Sequence, residues 1–87
     1  MEHRLDGNAA AGALQEIFPF EMTTADATCA GCGQINVVGA LVVYKHGMGT
    51  IVRCPSCDTA LIRVAKTRGR YWLDVRGVRV LQIAVES

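Results

Sequence analysis

Four cysteines, arranged as two CxxC pairs, are the residues of this chain whose spacing indicates a definite chemistry. The pairs are Cys29-Ala30-Gly31-Cys32 and Cys54-Pro55-Ser56-Cys57, which gives the pattern C-x2-C-x21-C-x2-C. A tight turn within a CxxC pair directs both sulfurs to one point, and two pairs at such a separation are typical of a four-thiolate metal site, usually zinc. The spacing therefore predicts one structural metal ion held by Cys29, Cys32, Cys54 and Cys57.

The residues that follow the cysteines suit the tight turns of such a site, and we call residues 29–33 and 54–58 the first and second knuckle. Gly33 closes the first knuckle at a position where turns favour a positive φ. Asp58 holds the equivalent place in the second, and Asp enters the left-handed region more readily than most residues. Pro55 presets φ within the second turn.

Three other uses of the cysteines and a second metal have to be weighed. Disulfides require an oxidising compartment, and the first residues lack the basic-then-apolar pattern of a secretory signal. A thioredoxin-like site would need one CxxC that opens a helix in a βαβ unit, whereas here there are two in β-type surroundings, and free buried thiols are the third alternative. Rubredoxin-type iron sites use similar knuckles, so iron is the second candidate. Their spacer is usually longer and their core more aromatic, and the five aromatic residues here favour one Zn²⁺ per chain.

The predicted site is closed, which argues against catalysis. Four sulfurs fill a tetrahedral shell, whereas catalytic zinc keeps one position for water or substrate. His3 and His46 do not lie at ligand spacing to a knuckle, and we expect both to be surface residues. The sequence also lacks a glycine-rich phosphate loop and a Ser–His–Asp set. We therefore expect no enzyme, no catalytic residue and no small-molecule substrate.

Length and composition indicate one small globular domain that a metal helps to stabilise. A chain of 87 residues buries only about 60–65% of its unfolded surface, so its core is marginal. Half of the residues are hydrophobic, yet no apolar run approaches the roughly 18–20 residues of a membrane span. Without a membrane span or a secretory signal, we expect a cytoplasmic protein.

The elements that must position the cysteines are mostly short strands. We predict a helix over Leu5–Phe18, with Asp6 as its N-cap and Pro19 beyond its end, and an extended stretch over Phe20–Thr28. The predicted strands further along the chain are Leu41–His46, Thr50–Cys54, Thr59–Lys66, Arg70–Arg76 and Val78–Val85, with turns at Gly47-Met48-Gly49 and Thr67-Arg68-Gly69.

These elements predict a small β-rich α+β fold. It is a zinc ribbon of short antiparallel strands with two CxxC knuckles, a C-terminal hairpin extension and a short N-terminal helix. Residues 1–20 would be a helical segment packed on the ribbon or on a partner, and residues 21–87 would be the ribbon itself, within one structural domain.

Charge is divided unevenly between the two halves of the chain. Acidic residues dominate residues 1–40, and basic residues dominate residues 41–80, where there are eight Lys or Arg against two Asp. The formal charge of +1 changes to about −1 when four thiolates and one Zn²⁺ are counted. The basic half is a hint about partners and carries no information about the fold.

One segment combines cations with an aromatic ring. Arg70–Arg76 alternates, so that Tyr71, Leu73 and Val75 share one face and Arg70, Trp72, Asp74 and Arg76 the other. Together with Arg68, the residues Arg70, Trp72 and Arg76 form a candidate surface for nucleic acid or a protein partner. The alternative is a solvated face on which Arg covers Trp72 by a cation–π contact.

Four pieces of the chain, spread over most of its length, resemble a family of small, mainly actinobacterial zinc-ribbon proteins described as a domain of unknown function. The pieces are LDGNAAAG from Leu5, TCAGCG from Thr28, RCPSCD from Arg53 and YWLDVRG from Tyr71. The resemblance implies zinc at the four cysteines and implies no activity.

Two functions follow from these expectations. The first is a non-enzymatic interaction module, in which structural zinc supports a platform for a protein or for nucleic acid. The second is rubredoxin-like electron transfer, with iron in the same four thiolates.

Overall fold

The computed structural model describes residues 3–47 and 49–85, and the side chains from Leu5 onward within them. Met48, at the tip of the hairpin predicted from the sequence, lies outside the described residues, as does the side chain of His3.

Within these residues the chain forms one α-helix and eight strands. In chain order they are β1 His3–Asp6, α1 Ala11–Ile17, β2 Asp26–Cys29, β3 Ile35–Val37, β4 Val42–His46, β5 Gly49–Arg53, β6 Ala60–Thr67, β7 Arg70–Asp74 and β8 Val78–Gln82. Short 3₁₀ segments lie at Gly7–Ala10, Met22–Thr24 and Val38–Ala40. All the strand pairs are antiparallel. The fold is thus the small β-rich, zinc-ribbon-like one expected from the sequence.

Five strands form the larger sheet, in the order β1-β4-β5-β6-β7. Opposite residues of antiparallel strands share a face, so the pairing register shows which side chains lie on the same face of the sheet. Val43 pairs with Val52, which pairs with Ile62, and all three are buried on the inner face. Along β5 burial alternates, since Thr50 and Val52 are buried whereas Ile51 and Arg53 are partly exposed, so one face of the sheet packs inward and the other is more open.

Three strands form the smaller sheet, in the order β3-β2-β8. The last strand therefore pairs with β2 and leaves the hairpin made by β6 and β7. Gly77 allows this departure, because a Cβ there would lie 1.9 Å from the carbonyl oxygen of Ala60. The Gly77 carbonyl accepts a hydrogen bond of 2.8 Å from Ala30 N–H, which ties the crossing to the first knuckle.

The N-terminal segment corrects the helix predicted over Leu5–Phe18. Its first residues are β1, which pairs with β4, and a 3₁₀ segment follows before α1 begins at Ala11. Gly7 packs so closely that a Cβ would lie 1.6 Å from the Val38 carbonyl oxygen, and Asp6 accepts from Asn8 N–H at the 3₁₀ segment. The helix ends at Ile17 ahead of Pro19, as predicted.

The stretch predicted as extended over Phe20–Thr28 is also interrupted. A 3₁₀ segment begins at Met22, whose side chain is buried, and β2 begins only at Asp26. The Glu21 carboxylate accepts from the N–H and the hydroxyl of Thr23, which lowers the pKa of Glu21. This capping contact, together with the burial of Met22, favours the local turn over a strand.

The core lies between the inner faces of the two sheets, the helix and the 3₁₀ segments. Leu14 is the buried residue of α1 and is completely inaccessible to solvent. Glu16, two residues further along α1, reaches the β6–β7 hairpin. Its carboxylate accepts a hydrogen bond from the Tyr71 hydroxyl and lies 3.9 Å from Lys66 Nζ. The helix is therefore linked to the larger sheet of its own chain through the Glu16 side chain. No helix within residues 3–47 and 49–85 has the length and apolar character needed to cross a bilayer.

Candidate metal centre

The sulfurs of Cys29, Cys32, Cys54 and Cys57 all lie within 4.8 Å of one another. The distance between the Cys29 and Cys57 sulfurs is 3.5 Å, and that between the Cys32 and Cys54 sulfurs is 3.7 Å. Sulfurs placed tetrahedrally about 2.3 Å from a zinc ion would be about 3.8 Å apart. The donor set and its spacing therefore fit a tetrahedral metal ion, and the four cysteines are positioned to hold one.

Both knuckles repeat the same backbone pattern. In the first, Gly33 N–H donates to the Cys29 carbonyl, and in the second, Asp58 N–H donates to the Cys54 carbonyl, each at 2.9 Å. Gly33 has φ of +77° and Asp58 has φ of +64°, as the sequence predicted. These turns bring both cysteines of a pair to the same side.

The two knuckles extend from different sheets. Cys29 ends β2 of the smaller sheet, whereas Cys54 directly follows β5 of the larger sheet. Each knuckle is closed at its base by a further 2.9 Å bond, from Cys29 N–H to the Gln34 carbonyl and from Cys54 N–H to the Thr59 carbonyl. An ion at this centre would therefore join the two sheets directly.

The centre has a buried side and an open side. Cys29 and Cys54 are buried, while Cys32 and Cys57 are exposed. Gly31 N–H lies 3.3 Å from the Cys29 sulfur, and the Thr59 hydroxyl lies 3.0 Å from the Cys57 sulfur. N–H and O–H donors of this kind favour the thiolate form that metals bind.

The second knuckle is braced by Arg53 from the end of β5. Its guanidinium donates to the Asp58 carbonyl at 2.9 Å and lies 3.7 Å from the Asp58 carboxylate. The same guanidinium stacks over the ring of Tyr44 at 6.0 Å from the centroid. The left-handed residue that closes the knuckle is thus held by the larger sheet.

The neighbouring cysteines have opposite tendencies to ionise, because the pKa values of Cys29 and Cys57 are lowered and that of Cys32 is raised. Burial opposes ionisation of Cys29, but N–H donation by Cys32 and Gly31 outweighs it and lowers the pKa of Cys29 to about 6. At Cys32, N–H donation by Gln34 favours the thiolate. Desolvation and the contacts with the other three cysteines oppose it and raise the pKa of Cys32 to about 12. A divalent cation relieves this conflict, because it is bound by thiolates and displaces their protons.

Among the residues of the predicted interaction surface, Arg76 lines a groove together with Ala30 and Gly31 of the first knuckle. Arg68 is in the β6–β7 turn, Arg70 and Trp72 are on β7, and Arg76 follows that strand. Trp72 is 64% exposed, and its indole N–H lies 3.3 Å from the Thr67 hydroxyl. Among the described residues, the cation–π contacts are those of Arg53 with Tyr44 and of Lys66 with Tyr71, and no cation lies over Trp72.

Sequence reasoning missed the residues that share this surface from neighbouring strands. The register places Ala65 opposite Trp72 and Arg63 opposite Asp74, and Ile51 lies beside Arg63 on β5. A groove of about 730 Å³ runs over these residues on the outer face of the larger sheet. The alternation within β7 predicted one row of this face, but the pairing of strands was needed to find the others.

His46, the described histidine, does not contribute to a metal site. His46 is exposed at the end of β4, and among the described residues only the four cysteines bring three or more potential metal ligands together.

Comparison with known proteins identifies a family but supplies no activity. No curated protein and no solved structure matches the sequence. The model of a family of unknown function, DUF6510, matches residues 1–86, which is nearly the whole chain. The chain therefore belongs to the family of unknown function DUF6510.

Proposed function

We propose that this protein is a non-catalytic interaction module whose fold is held by one structural Zn²⁺ in the four-cysteine centre. The observation that carries the proposal is the convergence of four sulfurs, within 4.8 Å of one another, from knuckles that belong to different sheets. An ion at such a point contributes its binding free energy to folding, since the unfolded chain has no assembled site.

The chemistry of the centre supports a structural role. Four thiolates complete a tetrahedral shell, so the ion keeps no position for water or substrate. The cysteines of the described chain are all free thiols rather than disulfides. We place such a thiol site in the cytoplasm, where cysteines are kept reduced.

The metal-bound domain then serves as a platform for a macromolecular partner, either a protein or a nucleic acid. Large side chains are exposed on both sheets, among them Trp72 at 64% and Ile35 at 60%. Trp72 borders a groove with Ile51 and Ala65 on the larger sheet, and contiguous exposed apolar surface is a feature of interaction sites.

Electron transfer by iron is the second candidate, and the exposure of Cys32 and Cys57 is the observation that favours it. Two ligand sulfurs at the surface would give electrons a short route to a partner. The same four thiolates accept either metal, so geometry alone does not separate the two.

Metal analysis and partner capture test the proposal together. Protein purified from its native host should be colourless and contain one zinc per chain, whereas a coloured, iron-loaded sample would establish the second candidate. Affinity purification with and without nuclease should then recover macromolecular partners. Recovery of neither protein nor nucleic acid, with zinc bound, would contradict the interaction role while leaving the structural metal intact.

A further inference from the structure

The outer face of the five-stranded sheet is the surface of this molecule that combines aromatic rings with arginines. We define the outer face by the side chains that the register places on it. They are Tyr44, Ile51, Arg53, Arg63, Ala65, Arg70, Trp72 and Asp74. Arg68 and Arg76 border it from the turn before β7 and the residues after it.

Trp72 is exposed on this face and has a polar contact at one edge of its ring. Its indole N–H lies 3.3 Å from the hydroxyl of Thr67, on the neighbouring strand, so the ring is oriented by a polar contact at one edge. The rest of the side chain is open, with 64% of the residue exposed, and borders the groove over Ala65 and Ile51. An exposed, oriented ring beside an apolar groove is suited to receive another flat ring.

The charge around the ring is predominantly positive. Asp74 is paired with Arg76. The Arg76 N–H and then its guanidinium nitrogen, each 3.1 Å from the carboxylate, lower the pKa of Asp74, and the charge of Arg63 adds to this effect. Arg63 and Arg70 enter none of the ion pairs found among the described residues, and both are exposed. Arginine at such positions is suited to bind phosphate oxygens.

We propose that the outer face binds single-stranded nucleic acid, with a base stacked on Trp72 and the backbone phosphates bound by Arg63 and Arg70. This inference rests on the proposed function of a non-catalytic interaction module and names its partner class. Aromatic rings on a basic surface bind single strands because every unpaired base offers a face for stacking.

A duplex fits the same surface less well. Its bases are already stacked on one another, so Trp72 would contribute nothing and only the phosphates would be contacted. The carboxylates of an acidic protein could bind the arginines, but such a protein would not supply a flat ring to stack on Trp72. The pairing of an open indole with flanking arginines therefore favours the single strand.

Trp72 is the only tryptophan of the chain, so its fluorescence reports on the proposed contact directly. Zinc-loaded full-length protein is titrated with 15-nucleotide oligo(dT) and oligo(U), and with a 15-base-pair duplex, at 50 and 200 mM KCl. We expect a single strand to quench the emission, to bind more tightly than the duplex, and to bind more weakly at the higher salt concentration.

Variants with matched controls separate stacking from charge. Trp72→Leu should weaken binding about 10-fold, measured by anisotropy of a labelled strand, and Trp72→Phe should retain most of it. Arg63→Ala or Arg70→Ala should weaken binding. Each should also reduce the slope of log affinity against log salt concentration by the amount expected for about one phosphate contact. Arg79→Ala, which removes an exposed arginine of β8 in the other sheet, should leave affinity nearly unchanged.

Three results would overturn the inference. They are no binding of either strand at 50 mM KCl, equal binding by the Trp72→Leu variant, or an equal loss in the Arg79→Ala control. Circular dichroism and zinc content are measured on every sample. Absence of nucleic-acid binding by the wild-type protein, with zinc bound and the fold intact, counts against this inference alone, whereas absence of zinc from the folded protein counts against the proposed function.

Discussion

The sulfurs of Cys29 and Cys57, which are separated by 28 residues in the chain, lie 3.5 Å apart. One belongs to the knuckle of the smaller sheet and the other to the knuckle of the larger sheet. Thiolates this close repel each other unless a cation lies between them. The contact between the two sheets at this end of the molecule therefore depends on what occupies the centre.

Removing the metal should unfold the domain. A structural zinc contributes about 10–16 kcal/mol of apparent binding free energy, which matches or exceeds the roughly 5–15 kcal/mol stability of a typical domain. We expect a strong chelator under reducing conditions to abolish the cooperative melt followed by circular dichroism. Adding Zn²⁺ back should restore it, and an unchanged melt in the presence of the chelator would contradict a structural metal.

Two glycine-to-alanine substitutions should change stability in opposite directions. Gly33 has φ of +77°, so alanine there adopts a strained left-handed backbone and should cost about 1–2 kcal/mol. Gly12 lies inside α1, where an added Cβ would meet nothing within 4 Å, and alanine there should add up to about 1 kcal/mol. Denaturant unfolding of the zinc-loaded variants measures both. Destabilisation by Gly12→Ala would show that the helix is packed differently.

Truncating the buried residue of the helix should be costly. Leu14 is completely buried in the hydrophobic core, so Leu14→Ala loses apolar burial and leaves a cavity. We expect a loss of about 2–5 kcal/mol in the free energy of unfolding. The adjacent exposed residue provides the control, because Gln15→Ala should stay within about 0.5 kcal/mol. Equal effects of the two substitutions would argue against a docked helix.

The contact between Tyr71 and Glu16 should be lost in alkali. The hydrogen bond to the Glu16 carboxylate raises the pKa of Tyr71 because it requires the phenol proton. A raised folded-state pKa means that the contact stabilises the protein below the ordinary tyrosine pKa of about 10, and that this stabilisation disappears as the pH rises through the folded-state value.

A spectroscopic titration measures this shift. The chain has two tyrosines, so ultraviolet titration in a Tyr44→Phe background follows Tyr71 alone. Glu16→Gln should lower its pKa towards the ordinary value, since the carboxylate charge is removed. An unchanged titration curve in that variant would mean that the helix does not hold the hairpin through this bond.

Much of the metal centre could be predicted from the cysteine spacing and its turn residues. Gly33 and Asp58 have the positive φ that their positions suggested, because backbone geometry within a knuckle is a local property. The start of the helix was harder to predict from the sequence. Asp6 and the alanines after it suit a helix, but pairing of β1 with β4 and the close approach of Gly7 to Val38 override that preference.

The sequence by itself determined which residues converge on one candidate metal site, because a CxxC turn specifies its own geometry within a few residues. It also determined that β7 carries Trp72 beside arginines. Only the tertiary structure decided that β8 leaves the C-terminal hairpin to pair with β2, and that Arg63 and Ile51 join Trp72 on the outer face. Strand partners are chosen by which apolar faces can be buried together, and that choice depends on residues far apart in the chain.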